Sequence, residues 1–304
     1  MLKFILNRLF QAIITALILL TIVFIIIRLS GDPIVWMVSP RASQEVRAEV
    51  IHRYGLDKSI IIQYFNYLGS MIKGDFGDSF YYSRPAMQVV MERVPVTLKL
   101  TGTAILISIL LGLPFGIYAA VQRGRIPDII LRGVAFFAIS TPSFWIGLML
   151  IFIFSVKLRI LPGGGDSGIS SLILPAFTLA LGLGGGIMRL TRSGMLGVWN
   201  NDYITMARAK GVPEVSLIWK HAFKNASIPV VTMVMMLMVI VISGDVLTEN
   251  IFSWNGLGRL VMSSVFNRDY PIIQAFTMVI CFTFVCISLL ADILYAYINP
   301  KIRY

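Results

Sequence analysis

The stretch TLKLTGTAILISILLGLPFGIYAAV, from Thr97 to Val121, carries one charge, Lys99, in 25 residues. Crossing about 30 Å of hydrocarbon at about 1.5 Å per residue takes about 20 mainly apolar residues, so this run is long enough to span a bilayer as a helix. Five further runs pass the same test: about Leu9 to Leu29, Asp128 to Val156, Leu172 to Leu196, Ala226 to Thr248 and Gln274 to Ile298. The first follows Lys3 and Arg8 as a signal peptide would. Its apolar run is too long for one and no A-x-A cleavage pattern follows, which predicts a retained anchor.

The composition agrees with lipid as part of the solvent. Of 304 residues, 57% are hydrophobic and 13% charged, against about 25% charged in soluble domains. A mean hydropathy of +0.82 cannot be hidden in one water-soluble core, because a globule of this size still exposes about a quarter of its unfolded surface. Disorder, collagen-like repeats and a disulfide scaffold are excluded by the same numbers, with only Cys281 and Cys286 present. These two cysteines lie on different faces of one helix and read as inert buried thiols.

The net charge of +11 serves to orient the chain. With both termini in the cytoplasm, Lys3, Arg8, Arg123, Arg125, Arg132, Arg189, Arg192, Arg208, Lys210, Lys220, Lys224, Lys301 and Arg303 all fall inside, as the positive-inside rule asks. The short outer loops hold only Lys157, Arg159, Arg259 and Arg268. Three regions follow: residues 1–29, an N-terminal tail and first span; 30–96, an extracytoplasmic insertion; and 97–304, a core with a cytoplasmic loop at about 197–225. The insertion is amphipathic and carries turn signals at Gly31-Asp32-Pro33, Gly55-Leu56-Asp57 and Gly74-Asp75-Phe76-Gly77-Asp78, which predict folded structure. The loop reads as short helices broken at Gly211-Val212-Pro213.

Catalytic constellations are missing. No G-x-x-x-x-G-K-[ST] string occurs, so no phosphate cradle is expected and the chain should not hydrolyse ATP itself. Gly165-Asp166-Ser167-Gly168 matches a serine-nucleophile tetrapeptide, but the only histidines, His52 and His221, fall on opposite sides of the membrane in this topology. No converging set of His, Cys and carboxylates suggests a metal site. Met233, Met235, Met236 and Met238 crowd the fifth span and could line a path or simply fill a core. Ionisable residues at mid-membrane depth mark ion-coupled carriers, and few are present: Arg28, Lys99, Asp245 and Asp292 fall near span ends, and Arg189 and Arg192 read as cytoplasmic-surface anchors. The run Gly182-Leu183-Gly184-Gly185-Gly186 lets another helix approach closely. The basic loop either docks a protein or touches lipid headgroups; composition alone does not separate the two.

The ordered string does. Asp202-Tyr203-Ile204-Thr205-Met206-Ala207-Arg208-Ala209-Lys210-Gly211-Val212-Pro213, followed by His221-Ala222-Phe223-Lys224-Asn225-Ala226-Ser227-Ile228-Pro229, resembles the EAA loop of ABC importer permeases. It looks like the form found in the dipeptide, oligopeptide and nickel transport family. The likeness extends to Tyr54-Gly55-Leu56-Asp57, Gln63-Tyr64 and Gly74-Asp75-Phe76-Gly77, and to Glu249-Asn250-Ile251-Phe252-Ser253-Trp254 through Gly256-Leu257-Gly258-Arg259 to Asn267-Arg268-Asp269-Tyr270-Pro271. The long insertion after the first span resembles the B-type of the family's two permease subunits. Thr205 stands where the general pattern has Glu.

The resemblance implies an all-α membrane protein with six transmembrane helices and the type I ABC importer (MetI-like) fold. It implies half of a translocation path for peptides, nickel or a metal chelate, in the inner (plasma) membrane. The partners implied are a second, C-type permease subunit, two ATPase subunits that bind ATP and Mg, and an extracytoplasmic solute-binding protein. Tyr203, Ala207, Arg208, Ala209, Lys210, Gly211, Val212 and Pro213 would couple to the ATPase. Met233, Met236 and Asp245 are candidates for the path, and Asp75, Glu249, Asn250, Arg259 and Asp269 for contact with the binding protein or gating. The alternative, an ion-coupled secondary transporter or channel, needs no ATPase partner, and the dearth of mid-membrane charges counts against it.

Overall fold

The computed structural model describes residues 2–29, 43–53, 57–166, 168–242 and 244–298. The sequence features at Gly31-Asp32-Pro33, Tyr54-Gly55-Leu56, Ser167, Lys301 and Arg303 lie outside the described residues. In chain order the helices are α1 (Leu2–Leu29), α2 (Gln44–Arg53), α3 (Ile60–Ile72), α4 (Ala86–Val121), α5 (Ile126–Ser140) and α6 (Ser143–Leu150), the last running on as a π-helix over Ile151–Lys157. Then come α7 (Ile169–Trp199), α8 (Asp202–Ala209), α9 (Glu214–Ser216) with a second π-helix over Leu217–Phe223, α10 (Lys224–Ile242), α11 (Val246–Ile251), α12 (Leu257–Phe266) and α13 (Tyr270–Ile298). The chain divides into two compact units, Met1–Pro95 with Arg259–Cys286, and Val96–Gly258 with Ile287–Tyr304.

In the first unit α3 lies against α1. Phe24, 6% exposed, meets the rings of Tyr64 and Tyr67 at 5.3 Å each, and the hydroxyls of Thr21 and Tyr64 are 2.7 Å apart. The segment between α3 and α4 is pinned by one buried carboxylate. Asp269 accepts from Ser79 Oγ at 2.5 Å, Phe80 N at 3.2 Å and Tyr81 N at 3.3 Å, and a single antiparallel bridge pairs Asp78 with Pro85. Three donors on one carboxylate offset the cost of burying it. Cys281 is buried but Cys286 is exposed: the two lie on different faces, as their spacing predicts, and only the first is the buried thiol expected of both.

The second unit is organised around α7, whose most apolar window is 72% buried. Its glycine run explains why. A Cβ on Gly185 would lie 2.9 Å from the Ala135 carbonyl of α5, and one on Gly186 would collide with the Met233 side chain of α10, while Gly184 faces Ser108 of α4 at 3.4 Å. Gly112 and Gly116 on α4 answer from the other side: a Cβ there would lie 2.8 Å from the Gly184 carbonyl and 2.7 Å from the Met188 carbonyl. Consecutive residues on a helix point about 100° apart, so a run of glycines admits a close neighbour on each of several sides. Leu100, Ala104, Leu172, Ala176, Leu179 and Trp254 fill one core layer of the unit. Ile117, Ala120, Met195, Ile204, Ala222 and Ala226 fill another.

One predicted span is broken. Asp128 to Val156 reads as one helix in the sequence, but α5 and the α6–π segment diverge by 104°. Pro142 disfavours the helical conformation at the residue before it, and Thr141 is extended at φ −87° and ψ 130°. Among the described residues, three helices are long and apolar enough to cross a membrane, Ala86–Val121, Ile169–Trp199 and Tyr270–Leu290, or four if the bent pair is one span.

Candidate functional site

The loop after α7 is built as a small amphipathic platform. Asn201 precedes α8, and the helix ends where Gly211 takes φ +75°, a left-handed turn that glycine adopts without strain. Gly211 N donates to the Arg208 carbonyl at 3.0 Å and Val212 N to Ala207 at 3.2 Å, closing the turn. Pro213 then opens α9 with Ser216 N and Leu217 N both donating to its carbonyl. Ile204, fully buried, anchors α8 in the layer with Met195, Ala222 and Ala226. Asn225 Nδ2 donates to the Tyr203 hydroxyl at 3.0 Å, tying α8 to α10.

The outward side carries Tyr203, Met206, Val215 and Trp219, which are 39%, 61%, 70% and 49% exposed, beside exposed Lys210, Lys220 and Lys224. Met206, Val215 and Trp219 are not in the sequence-derived site; their signal is the presence of large apolar residues in an otherwise hydrophilic loop. Ala207 is half-buried and Ala209 exposed. Arg208 is engaged within the loop: its Nε donates to Glu214 at 2.8 Å and its guanidinium lies 5.6 Å from the centre of the Trp199 ring. Val212 is half-buried and Pro213 exposed.

Arg192 is not a surface anchor. Its Nε and Nη2 donate to the two oxygens of Asp128 at 2.7 and 2.8 Å, and Asp128 has no exposed surface. Gly124 N adds a third donor at 2.9 Å, and Arg132 Nε lies 3.4 Å away. This paired fork joins the start of α5 to α7 about two turns before the loop, a geometry that fixes direction as well as distance. The two residues stand 64 apart in the chain, and no local pattern announces the pair.

The path candidates separate. Met233 packs its methyl over Gly186, and Met236 is exposed. Asp245 lines a cavity of about 600 Å³ within the second unit, together with Thr141, Ser143, Thr178 and Leu183. Its side chain also accepts from Thr248 N at 3.1 Å as the N-cap of α11.

Two of the five candidates for outer contact, Glu249 and Asp269, are buried inside the chain. Glu249 has no exposed surface: it accepts from Thr97 Oγ1 at 2.8 Å, Thr97 in turn accepts from Leu257 N at 2.7 Å, and Gly244, Gly256 and Gly258 crowd around it. Asp269 is buried under its three donors. Neither carboxylate offers a face to another protein, because burial removes the surface that contact requires. Asp75 is exposed and accepts from Gly77 N at 2.9 Å; Asn250 is exposed and donates to the Val246 carbonyl; Arg259 is half-buried. The turn at Gly165 is tied by its N–H to the Phe252 carbonyl at 2.8 Å, and Asn255 Nδ2 donates to Asp166 at 3.1 Å.

A family described as "Binding-protein-dependent transport system inner membrane component" matches residues 112–304, and the N-terminal component described alongside it matches residues 1–101. The chain is 41% identical over 305 residues, 100% of both chains, to the glutathione transport system permease protein GsiC of Salmonella choleraesuis (strain SC-B67). It is 39% identical over 285 residues, 90% of each, to the oligopeptide transport system permease protein AppB of Bacillus subtilis (strain 168). A chain of the MetNI methionine ABC transporter in its inward-facing conformation shares the fold at a TM-score of 0.60, with 15% identity over 70% of this chain and 97% of that one.

Proposed function

The chain belongs to the binding-protein-dependent transport system inner membrane components, and from that premise we propose how it works and what it carries. It is the multi-pass inner-membrane permease subunit of an ABC importer in the peptide transport group, with the MetI-like fold. The full-length identity to the glutathione permease carries the functional reading. The substrate we assign is a short peptide of the glutathione or oligopeptide class, handed over by an extracytoplasmic binding protein.

In this reading a second permease subunit completes the path, and two cytoplasmic ATPase subunits hold ATP and Mg. Six spans place both termini in the cytoplasm and residues 30–96 outside. The platform of Tyr203, Met206, Val215 and Trp219 with Lys210 sits in a groove of the ATPase. Ala207, Ala209, Gly211, Val212 and Pro213 shape it, and Arg208 stiffens it through Glu214. Because Ile204 is locked to Met195 of α7 and Ala226 of α10, displacing α8 moves the inner ends of both helices. The buried Asp128–Arg192 fork passes the movement to α5. ATP binding shifts the permease between conformations only by binding one of them better.

Gly211→Pro tests the coupling. Proline holds φ near −65° and has no N–H, so the +75° turn and the bond to Arg208 are both lost. Membrane insertion should persist while uptake of trialanine and peptide-stimulated ATP hydrolysis disappear. Normal uptake by this variant would remove the loop from the coupling role, and uptake that ignores ATP depletion would favour a secondary carrier.

A further inference from the structure

The cavity beside the broken span has a one-sided chemistry. Asp245 supplies the only ionisable side chain among its lining residues. Two of its hydroxyls have spent their protons on their own helices: Thr141 Oγ1 donates to Phe137 at 2.7 Å and Thr178 Oγ1 to Leu174 at 2.8 Å. Both therefore present lone pairs only. Asp245 uses Oδ1 to cap α11, which leaves Oδ2 without a protein partner among the described residues. Ser143 adds a third hydroxyl, and most of the remaining side chains of the wall are aliphatic, including Ile139, Ile146 and Leu183. A cavity of about 600 Å³ falls in the range of about 300–1,000 Å³ typical of small-molecule sites.

We infer that this cavity is a subsite for a primary ammonium group, the free amino terminus of a short peptide, with Asp245 as its counter-ion and Thr141 and Thr178 as further acceptors. The inference rests on the reading of the chain as a peptide permease. Three acceptors and no donor of positive charge favour an –NH₃⁺ group, which has three donors to place. The aliphatic wall takes the neighbouring side chain without selecting among sequences.

The experiment compares uptake of radiolabelled trialanine and N-acetyl-trialanine by cells carrying the complete importer, with wild type and Asp245→Asn. Asparagine caps helices about as well as aspartate, so the substitution removes charge and keeps α11. The preference for the free amine over the acetylated peptide should fall by about 10- to 100-fold, the loss expected for one charge-assisted hydrogen bond, at equal amounts of protein in the membrane. Any selectivity of the binding protein is common to both strains and cancels in the ratio. If wild type imports trialanine and the ratio is unchanged in Asp245→Asn, the subsite is overturned while the importer stands. If wild type imports neither peptide, the peptide reading and the subsite fall together. Should Asp245→Asn not reach the membrane, Leu247→Lys, at an exposed position of the same wall, sets a competing ammonium beside Asp245. It should collapse the ratio likewise, and an unchanged ratio there also overturns the subsite.

Discussion

Two glycines of α4 should respond to the same substitution with opposite signs. A methyl group on Gly116 would lie 2.7 Å from the Met188 carbonyl oxygen and 2.7 Å from Thr191 Cβ, whereas one on Gly102 meets nothing within 4 Å. Ordinary van der Waals contact begins at 3.4 Å, so Gly116→Ala forces α4 and α7 apart by several tenths of an ångström. The obstacle is backbone, which cannot rotate away. Overpacking of this kind costs about 1–3 kcal/mol, while relief of glycine's chain entropy in an open helical position returns about 0.5–1 kcal/mol. That relief is common to both helical positions, so Gly116→Ala should be the less stable of the two by about 1–3 kcal/mol. Unfolding of the purified chain in mild detergent, titrated with SDS and followed by tryptophan fluorescence, measures the difference. Equal midpoints, or a Gly116→Ala protein as stable as the wild type, would refute the claim that these helices touch through their glycines.

Asp128→Asn leaves the Arg192 guanidinium short of its counter-charge in a site with no exposed surface on the carboxylate side. Breaking such a pair costs about 3–5 kcal/mol, and Asp128→Asn with Arg192→Gln should recover part of it; thermal unfolding in detergent decides, and a silent single variant would count against the fork. At the surface, the hydrogen bond from the His52 ring at 3.1 Å holds the Asp57 carboxyl below its ordinary value. A lowered carboxyl contributes fully above its unfolded value and is lost as pH falls through the folded one, so carboxyl NMR should show Asp57 titrating low, and His52→Ala should return it upward.

The helical, membrane-embedded character of the chain was legible because apolar runs such as Thr97 to Val121 are long and nearly uncharged. The loop was legible because Gly211 and Pro213 punctuate a hydrophilic stretch. The break at Thr141-Pro142 has a local signal in the proline, but the hydrophobicity runs unbroken on both sides of it, and proline also sits inside continuous helices here at Pro175 and Pro229. The Asp128–Arg192 fork was not legible: each residue by itself looks like a charge at the end of a span, and only packing brings together positions 64 apart. The burial of Glu249 and Asp269 was hidden for the same reason, since acidic residues in polar loops read as solvated until Thr97 and Ser79 arrive from distant segments. The glycine run announced close packing without naming its partners.

That run also sets what kinds of change the gene can tolerate. Gly184, Gly185 and Gly186 each serve a different neighbour, so side-chain substitutions there are penalised one contact at a time. A single-residue insertion or deletion between them is a different event. It would rotate everything downstream on α7 by about 100°, turning Arg192 away from Asp128 and Gly194 away from the Ala226 carbonyl together. Across related genes, α7 should therefore vary in spelling while keeping its length from Gly182 to Gly194, and neutral drift in length should be confined to the segments on either side of it.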